Sequence, residues 1–352
     1  MQSLSKPATA GKPRINPPHK ARVNLVARTI NAWVFRAMSE ALLEWCRDVE
    51  IVITRQPIGG CQLYHFFRPQ DATAAVIRGF SKPFVTTLHG ELPGVTDYRT
   101  CRPGYDLAEK VICVSETARK FLAGAAGLNG KLALIHAGAD ANKFRFERWP
   151  QGHFTVGIVS RNYPLMRDIA DVKGGEMIIE TMTRLAEKLS DILLMVVGVD
   201  WEGLIDEMLR RSIPVVYYDR RRNCTYDDYP RLYNQMDCVL VASKFEGGPV
   251  AAYEAMMCGR PVVGPAVGVL PELIEQKRTG MLCERNAESL AEGLEWMCRL
   301  RPDFAEGRWK DCAERVKGFT WERWAEEHER LYLEVLKSKS ANLQPQSLEA
   351  KS

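Results

Sequence analysis

The part of the sequence that decides the fold is the stretch CVLVASKFEGGPVAAYEA, residues 238–255. Its first four residues form a short apolar run that is typical of a buried strand, and two glycines then interrupt the pattern. Pro249 suits the first turn of a helix, which continues with apolar spacing from Val250. This order of strand, glycine turn and helix is typical of a parallel α/β sheet, in which ligands bind beyond the carboxyl ends of the strands.

The same rhythm of short β-branched runs and amphipathic stretches extends through most of the chain. A break at residues 145–152, which contains Pro150 and Gly152, separates two such series. We therefore predict an α/β protein with two Rossmann-like, doubly wound lobes. The predicted strands are residues 23–27, 51–53, 83–88, 111–114, 154–160, 192–197, 215–218, 238–241 and 261–264, and the predicted helices include 33–46, 174–189 and 204–211.

Composition limits the possible classes of protein. The chain has 352 residues, 46% of them hydrophobic and 26% charged, which suits two globular lobes rather than a disordered chain or a membrane bundle. A net charge of +4 is too small to indicate nucleic-acid binding. The ten cysteines are scattered without zinc spacing, and we expect reduced thiols. Without an apolar run of signal or membrane-spanning type, we expect a cytoplasmic protein, and peripheral contact with a membrane stays open.

Two carboxylates flank the glycine turn. Glu246 lies in the loop, and Glu254 lies about two helical turns further on. Gly247 and Gly248 let the backbone approach a ligand, and the amides at the helix start near Val250 can receive a diphosphate. The two carboxylates would then accept hydrogen bonds from sugar hydroxyls at the two ends of one elongated ligand. The alternative is that neither glutamate binds a ligand. Glu246 would then only interact favourably with the dipole of the helix that follows it, and Glu254 would be an ordinary solvated side chain.

These residues resemble a known family. Glu246 and Glu254, with seven residues between them, are similar to the signature of the retaining glycosyltransferase family 4, which has the GT-B fold. The resemblance covers about residues 85–336. It rests on these further runs: AMMCGRPVV (255–263), GVLPELI (268–274), TGML (279–282), VICVSETA (111–118) and IHAGAD (135–140).

The resemblance extends to three further side chains. Arg161 after a predicted strand, and Lys173 before a helix, are similar to the family's pair of cations at the leaving diphosphate. His89 ends the strand at 83–88, where the family has a histidine near the donor sugar. The structural alternatives are solvated cations and a core histidine. Two departures concern Ala137, where the family commonly has Asn, and residues 28–32, which replace its glycine-rich loop.

The resemblance implies transfer of a hexose-type sugar, with retention, from a nucleoside diphosphate donor to a glycan or lipid-linked acceptor. We expect Glu246 to hold the sugar and Glu254 the ribose, with no metal and no other cofactor. The expected parts are a flexible basic arm (1–21), an acceptor lobe (22–150), a donor-nucleotide lobe (151–317), a helix returning to the first lobe (318–337) and a flexible tail (338–352).

Other functions fit the sequence less well. A sugar-nucleotide epimerase or hydrolase of the same fold, or a degenerate binding protein, stays open. A Rossmann oxidoreductase is disfavoured because no G-x-G-x-x-G follows residues 23–27. A nucleic-acid-binding role for Arg220-Arg221-Arg222 is disfavoured, since a solvated or nucleotide-facing loop explains the triplet better.

Overall fold

The computed structural model describes residues 20–28, 33–90, 95–124, 128, 130–162, 165–166 and 169–342. Within these residues, the strands form two parallel sheets and a short antiparallel pair. Most of the expected arm (1–21), residues 29–32 of the departing loop and residues 343–352 of the expected tail lie outside the described residues. The protein therefore has the α/β architecture that the sequence predicts.

The first sheet has the strand order β2-β1-β3-β4-β5-β6. Its neighbouring strands all run parallel, because helices connect them on the faces of the sheet. The strands are β1 (Ala21–Val26), β2 (Val49–Thr54), β3 (Leu63–Phe66), β4 (Phe84–Leu88), β5 (Lys110–Cys113) and β6 (Leu132–Leu134). The helices are α1 (Trp33–Trp45), α2 (Pro69–Ile77), α3 (Tyr98–Leu107) and α4 (Glu116–Ala123).

The second sheet has the order β11-β10-β7-β12-β13-β14, and strands β8 and β9 pair separately. The strands are β7 (Phe154–Arg161), β8 (Leu165–Met166), β9 (Ile169–Ala170), β10 (Ile192–Val199), β11 (Val215–Asp219), β12 (Cys238–Leu240), β13 (Val262–Pro265) and β14 (Gly280–Cys283). The helices are α5 (Gly175–Lys188), α6 (Glu202–Arg210), α7 (Tyr229–Tyr233), α8 (Val250–Met257), α9 (Leu270–Leu273), α10 (Ala287–Arg299), α11 (Arg301–Asp303), α12 (Trp309–Val316) and α13 (Trp321–Asn342). A 3₁₀ turn (Tyr226–Asp228) precedes α7.

Five of the described strands, β3, β6, β8, β9 and β14, were not among the predicted strands. Each has only two to four residues. All four residues of β3 are buried, and one of them is His65. A run this short, with a histidine inside it, has too few residues to show a period, so only its place between β1 and β4 identifies it.

The C-terminal helix α13 packs back on the first lobe, against α1. The carboxylate of Glu329 accepts hydrogen bonds from the backbone N–H groups of Asp48 at 2.6 Å and Val49 at 3.1 Å. The helix is longer than expected: it continues to Asn342, past the expected end at residue 337. Residues 338–342 are thus helical rather than part of a flexible tail, because the hydrogen bonding of the helix continues through them. Strand β1 likewise begins at Ala21, within the expected arm.

Several direct contacts hold the two lobes together beside the cleft. Glu272 of α9 accepts a hydrogen bond at 2.8 Å from the backbone N–H of Glu116, at the start of α4 in the first lobe. Its second oxygen lies 2.6 Å from Nε2 of His136. The hydroxyl of Thr117 donates to the carbonyl oxygen of Gly268 at 2.8 Å. The lobes therefore meet through specific polar contacts at the ends of their strands.

Two features bear on the class of protein. Within the described residues, we find no helix with the length and apolar character that a membrane crossing requires. All ten cysteines lie in the described residues and are free thiols, as expected from their scattered positions.

Candidate functional site

A cleft of about 420 Å³ lies between the lobes and brings together most of the predicted site residues. His89 and Ala137 come from the first lobe. The second lobe supplies the predicted site residues Arg161, Lys173, Glu246, Gly248 and Val250, among others. Arg161 ends β7, His89 follows β4, and Glu246 follows β12. The carboxyl ends of parallel strands lie at one edge of each sheet, and here these edges face each other across the cleft.

Lys173 and Glu246 form an ion pair within the cleft, and the hydroxyl of Ser243 donates to the same carboxylate oxygen at 2.7 Å. Their side chains are only 16% and 12% exposed. Lys173 directly precedes Gly174, which caps α5 in the left-handed conformation at φ 75°. The pairing was not expected, because 73 residues separate the two in sequence. It fixes the ammonium group and the carboxylate beside each other at the base of the cleft.

Arg161 lies at the rim of the cleft, where its side chain is 59% exposed. Its Nε lies 3.1 Å from Oδ2 of Asp200, which also pairs with Arg221 at 2.8 Å. Arg221 is further engaged by Asp219 and Glu202. Acidic neighbours therefore compensate the charge of Arg221. The carboxylate of Asp200 lies between the guanidinium groups of Arg161 and Arg221 and pairs with both.

Arg220 is a site candidate that the sequence reasoning placed only within a basic triplet. It lines the cleft, and its buried Nε has no hydrogen-bond partner among the described residues. Its guanidinium lies 5.9 Å from the centre of the Tyr229 ring. Arg222, by contrast, pairs with Asp219 at 3.5 Å. Of the three arginines, Arg220 is therefore the one that lines the cleft.

His89 lies at the end of β4 with its ring packed against Phe35 and Phe67, at centroid distances of 5.1 and 5.6 Å. Burial, and secondarily the nearby His328, lower the pKa of His89 to about 3. The imidazole is therefore neutral near pH 7 and offers one donor and one acceptor. Its Nε2 is buried without a hydrogen-bond partner among the described residues.

The glycine turn has two different surroundings. Gly248 lines the cleft, whereas Gly247 forms a backbone bridge with Gly90 of the first lobe. A Cβ at position 247 would lie 2.1 Å from the carbonyl oxygen of His89, so a glycine is needed for this approach. Pro249 is the N-cap of α8, and Val250, the first helical residue, lines the cleft. The start of α8 thus points its amides at the cleft, while Gly247 serves the contact between lobes.

Glu254 is fully buried rather than exposed to the cleft. The hydroxyl groups of Tyr226 and Tyr233 donate to its two oxygens, at 2.5 and 2.8 Å. Burial raises the pKa of Glu254 to about 8, while the two tyrosine hydrogen bonds act in the opposite direction. Glu246 therefore lines the cleft, whereas Glu254 does not. Glu254 nevertheless lies only one helical turn after Val250, which lines the cleft. Nothing in the sequence near Tyr226 and Tyr233 indicated this contact.

In the part of the chain that the structure describes, no group of three or more His, Cys, Asp or Glu side chains could hold a metal ion.

A family model places this site among known proteins. Residues 157–299 match the model described as Glycosyl transferases group 1. Over this segment, which is less than half of the chain, the protein is similar to the group 1 glycosyltransferases. The matched residues include Arg161, Lys173, Glu246 and Glu254, and they cover most of the second sheet.

Similar proteins are found in bacteria and in humans. The protein is 28% identical to D-inositol 3-phosphate glycosyltransferase of Mycobacteroides abscessus over 42% of the chain. It is 27% identical to a subunit of human phosphatidylinositol N-acetylglucosaminyltransferase over 63% of the chain. It spans 34% and 45% of the length of these two relatives.

Solved structures show that the chain has the GT-B fold. The Anabaena protein HepE, in a complex with UDP and glucose, matches 91% of the chain and all of its own length, with a TM-score of 0.69 at 18% identity. A sucrose-phosphate synthase of Thermosynechococcus elongatus matches 90% of the chain and all of its own length, with a TM-score of 0.70 and 18% identity.

Proposed function

We propose that this protein transfers a hexose-type sugar from a nucleoside diphosphate donor to an acceptor hydroxyl, with retention of the anomeric configuration. The observation that carries the proposal is the cleft itself. It joins three cations (Arg161, Lys173 and Arg220), a carboxylate and the amide end of α8 from the second lobe to a neutral histidine from the first. A diphosphate and a sugar need complementary groups of these kinds, placed side by side.

Arg161, Lys173 and the start of α8 would stabilise the departing diphosphate. As the bond between the sugar C1 and the phosphate oxygen breaks, negative charge accumulates on that oxygen. Arg161 lies at the rim and Lys173 at the base of the cleft. Each already has a carboxylate partner, so a diphosphate would share these cations with Asp200 and Glu246. Positive charge that is held in place stabilises the transition state without reorganisation.

Glu246 and His89 would position the sugar. The carboxylate of Glu246 can accept hydrogen bonds from sugar hydroxyls, and its contacts with Lys173 and Ser243 fix its orientation. The neutral His89 can donate or accept a hydrogen bond through its unpartnered Nε2. In the transfer step, the acceptor oxygen bonds to C1, the diphosphate leaves, and its oxygen takes the acceptor proton on the same face of the sugar.

The proposal includes metal-independent catalysis and an acceptor of the glycan or lipid-linked type. Arg161, Lys173 and the amides at the start of α8 would supply the positive potential that a bridging metal ion would otherwise provide. The acceptor would enter from the side of the first lobe, near α1. A cytoplasmic location and peripheral membrane contact belong to the same proposal.

The test has two stages. Purified protein is first screened for thermal stabilisation by uridine, guanosine, adenosine and thymidine diphosphates; UDP is the first choice because HepE binds UDP. The matching nucleotide sugar is then supplied with candidate acceptors, and the anomeric form of the product is determined. A retained configuration in a transferred sugar supports the proposal. Donor turnover to free sugar or to an epimer, without transfer to any acceptor, contradicts it.

A further inference from the structure

The contact between Tyr226 and Glu254 blocks a carboxylate that lies beside the cleft. Glu254 is one helical turn further along α8 than Val250, which lines the cleft. Its carboxylate is fully buried, and both oxygens are occupied by tyrosine hydroxyl groups. A ligand hydroxyl can reach this carboxylate only if one tyrosine hydroxyl leaves.

The two tyrosines differ in how firmly they are held. Tyr233 is 1% exposed and belongs to α7. Both rings lie near that of Phe144, at 5.8 Å for Tyr233 and 5.7 Å for Tyr226, so burial and the surrounding element distinguish them. Tyr226 is half-buried and belongs to a 3₁₀ turn of three residues. A short 3₁₀ turn has poorer hydrogen bonding than an α-helix, so it rearranges at lower cost. Tyr226 is therefore the replaceable partner of Glu254.

The structure also provides a space into which Tyr226 can withdraw. Its other side faces a second cavity of about 740 Å³, lined by Lys143, Asp227 and Arg220 among others. Lys143 holds the ring by a cation–π contact at 4.2 Å and pairs with Asp227 at 2.6 Å. Arg220 lines both this cavity and the cleft. Tyr226 thus stands between the second cavity and Glu254.

We infer that Tyr226 is an internal competitor of the donor, whose hydroxyl occupies the position on Glu254 that the ribose diol of a nucleoside diphosphate takes on binding. This inference rests on the proposed function, since it concerns the nucleoside end of the same donor. A vicinal diol donates to a carboxylate as a tyrosine hydroxyl does, so one hydrogen bond replaces another. The exchange reduces donor affinity and discriminates against nucleosides that lack the diol.

The experiment measures the Kd of uridine, guanosine and adenosine diphosphates, and of their 2′,3′-dideoxy counterparts, by calorimetry. Wild type is compared with Tyr226→Phe, which keeps the ring and its contact with Lys143 but removes the competing hydroxyl. We expect the preferred ribonucleotide to bind roughly tenfold more tightly to Tyr226→Phe, and its dideoxy counterpart to bind with unchanged affinity. Equal tightening of both nucleotides, no change, or weaker binding of the ribonucleotide overturns the inference.

Tyr233→Phe is the matched control, because it removes an equally direct hydrogen bond to the same carboxylate from the firmly held side. We expect no selective tightening of ribonucleotide binding in this variant, and the same tightening as in Tyr226→Phe would overturn the inference. Thermal unfolding verifies that both variants are folded. If none of the nucleotides binds to folded wild type, the proposed function fails together with the inference. If wild type binds them but Tyr226→Phe shows no selective gain, only the inference fails.

Discussion

The ammonium group of Lys173 and the carboxylate of Glu246 form an ion pair across the base of the cleft, shielded from most of the solvent. The contact links the entry to α5 with the loop before α8, the two segments that carry the diphosphate and sugar groups of the proposal. If either residue is replaced by an uncharged one, the charge of the other remains unpaired in a poorly solvated position.

Replacing Lys173 by Met should therefore lower both stability and turnover. We expect a loss of roughly 2 kcal/mol in the free energy of unfolding, because Glu246 remains mostly buried without a cation, and about 100-fold lower turnover. Urea unfolding and steady-state kinetics measure the two effects. Lys188→Met is the matched control, since it removes an ion pair with Glu295 in which the lysine is 46% exposed. Equal effects of the two changes would contradict the assignment.

Arg161→Ala should act on the chemical step with little effect on folding. The side chain is mostly exposed, so its loss should leave the unfolding midpoint nearly unchanged. Turnover should fall by about 100-fold if the guanidinium stabilises the charge that develops on the diphosphate. The comparison is Arg184→Ala, which breaks an exposed pair with Glu180 on α5. Near-normal turnover of folded Arg161→Ala would remove this residue from the site.

Gly247→Ala tests the approach of the two lobes. The added Cβ would meet the carbonyl oxygen of His89 at 2.1 Å, so the bridge between Gly247 and Gly90 should be lost. We expect turnover to fall at least tenfold, since the first lobe then cannot close on the donor, with a smaller change in nucleotide affinity. Gly203→Ala on α6 is the control, because its Cβ would meet no atom within 4 Å. Unchanged turnover of Gly247→Ala would show that close contact at this point is dispensable.

The contribution of the buried histidines to stability should fall as the pH drops below about 6.5, the ordinary pKa of histidine. Glu254, whose pKa burial raises to about 8, contributes in the opposite sense. Burial lowers the pKa of His328 to about 4, and that of His89 to about 3. A histidine whose pKa is lower in the folded than in the unfolded protein stabilises the fold when the pH is above its unfolded pKa. This stabilisation is lost as the pH falls from the unfolded pKa towards the folded pKa. From the difference in pKa we expect a loss of about 2 kcal/mol per histidine between pH 7 and pH 5.

Urea unfolding at pH 7 and pH 5 measures this dependence. His328→Gln should be less sensitive to pH than wild type, because it removes one of the buried histidines with a lowered pKa. His153, which is exposed at the start of the second lobe, provides the control variant His153→Gln. If both variants show the same pH sensitivity as wild type, other groups control the acid stability of the fold.

Chelation of divalent ions should leave donor turnover intact. Arg161, Lys173 and the start of α8 would already supply the positive potential at the leaving diphosphate. The assay follows slow hydrolysis of the nucleotide sugar, in which water replaces the acceptor, with and without a chelator. Complete loss of hydrolysis on chelation, restored by magnesium or manganese, would show that a metal ion bridges the phosphates.

The sequence by itself determined the local elements and their order. Residues 238–255 alone predict strand β12, its glycine turn and helix α8, because apolar periodicity and turn chemistry depend on near neighbours. The alternation of such units was enough to predict two parallel sheets and a site at their carboxyl edges. The strands β3, β6, β8, β9 and β14 were missed, since runs of two to four residues show no period of their own.

Only the tertiary structure decided which side chains meet. Lys173 pairs with Glu246, and Tyr226 and Tyr233 occupy Glu254, across separations of 73, 28 and 21 residues. Gly247 is needed at its position because a carbonyl group of the other lobe lies against it. Hydrogen bonds and ion pairs act over a few ångströms in space, and the distance along the chain carries no information about them. The sequence could therefore place the ends of the strands, but the partners of each charge there depend on how the two lobes pack.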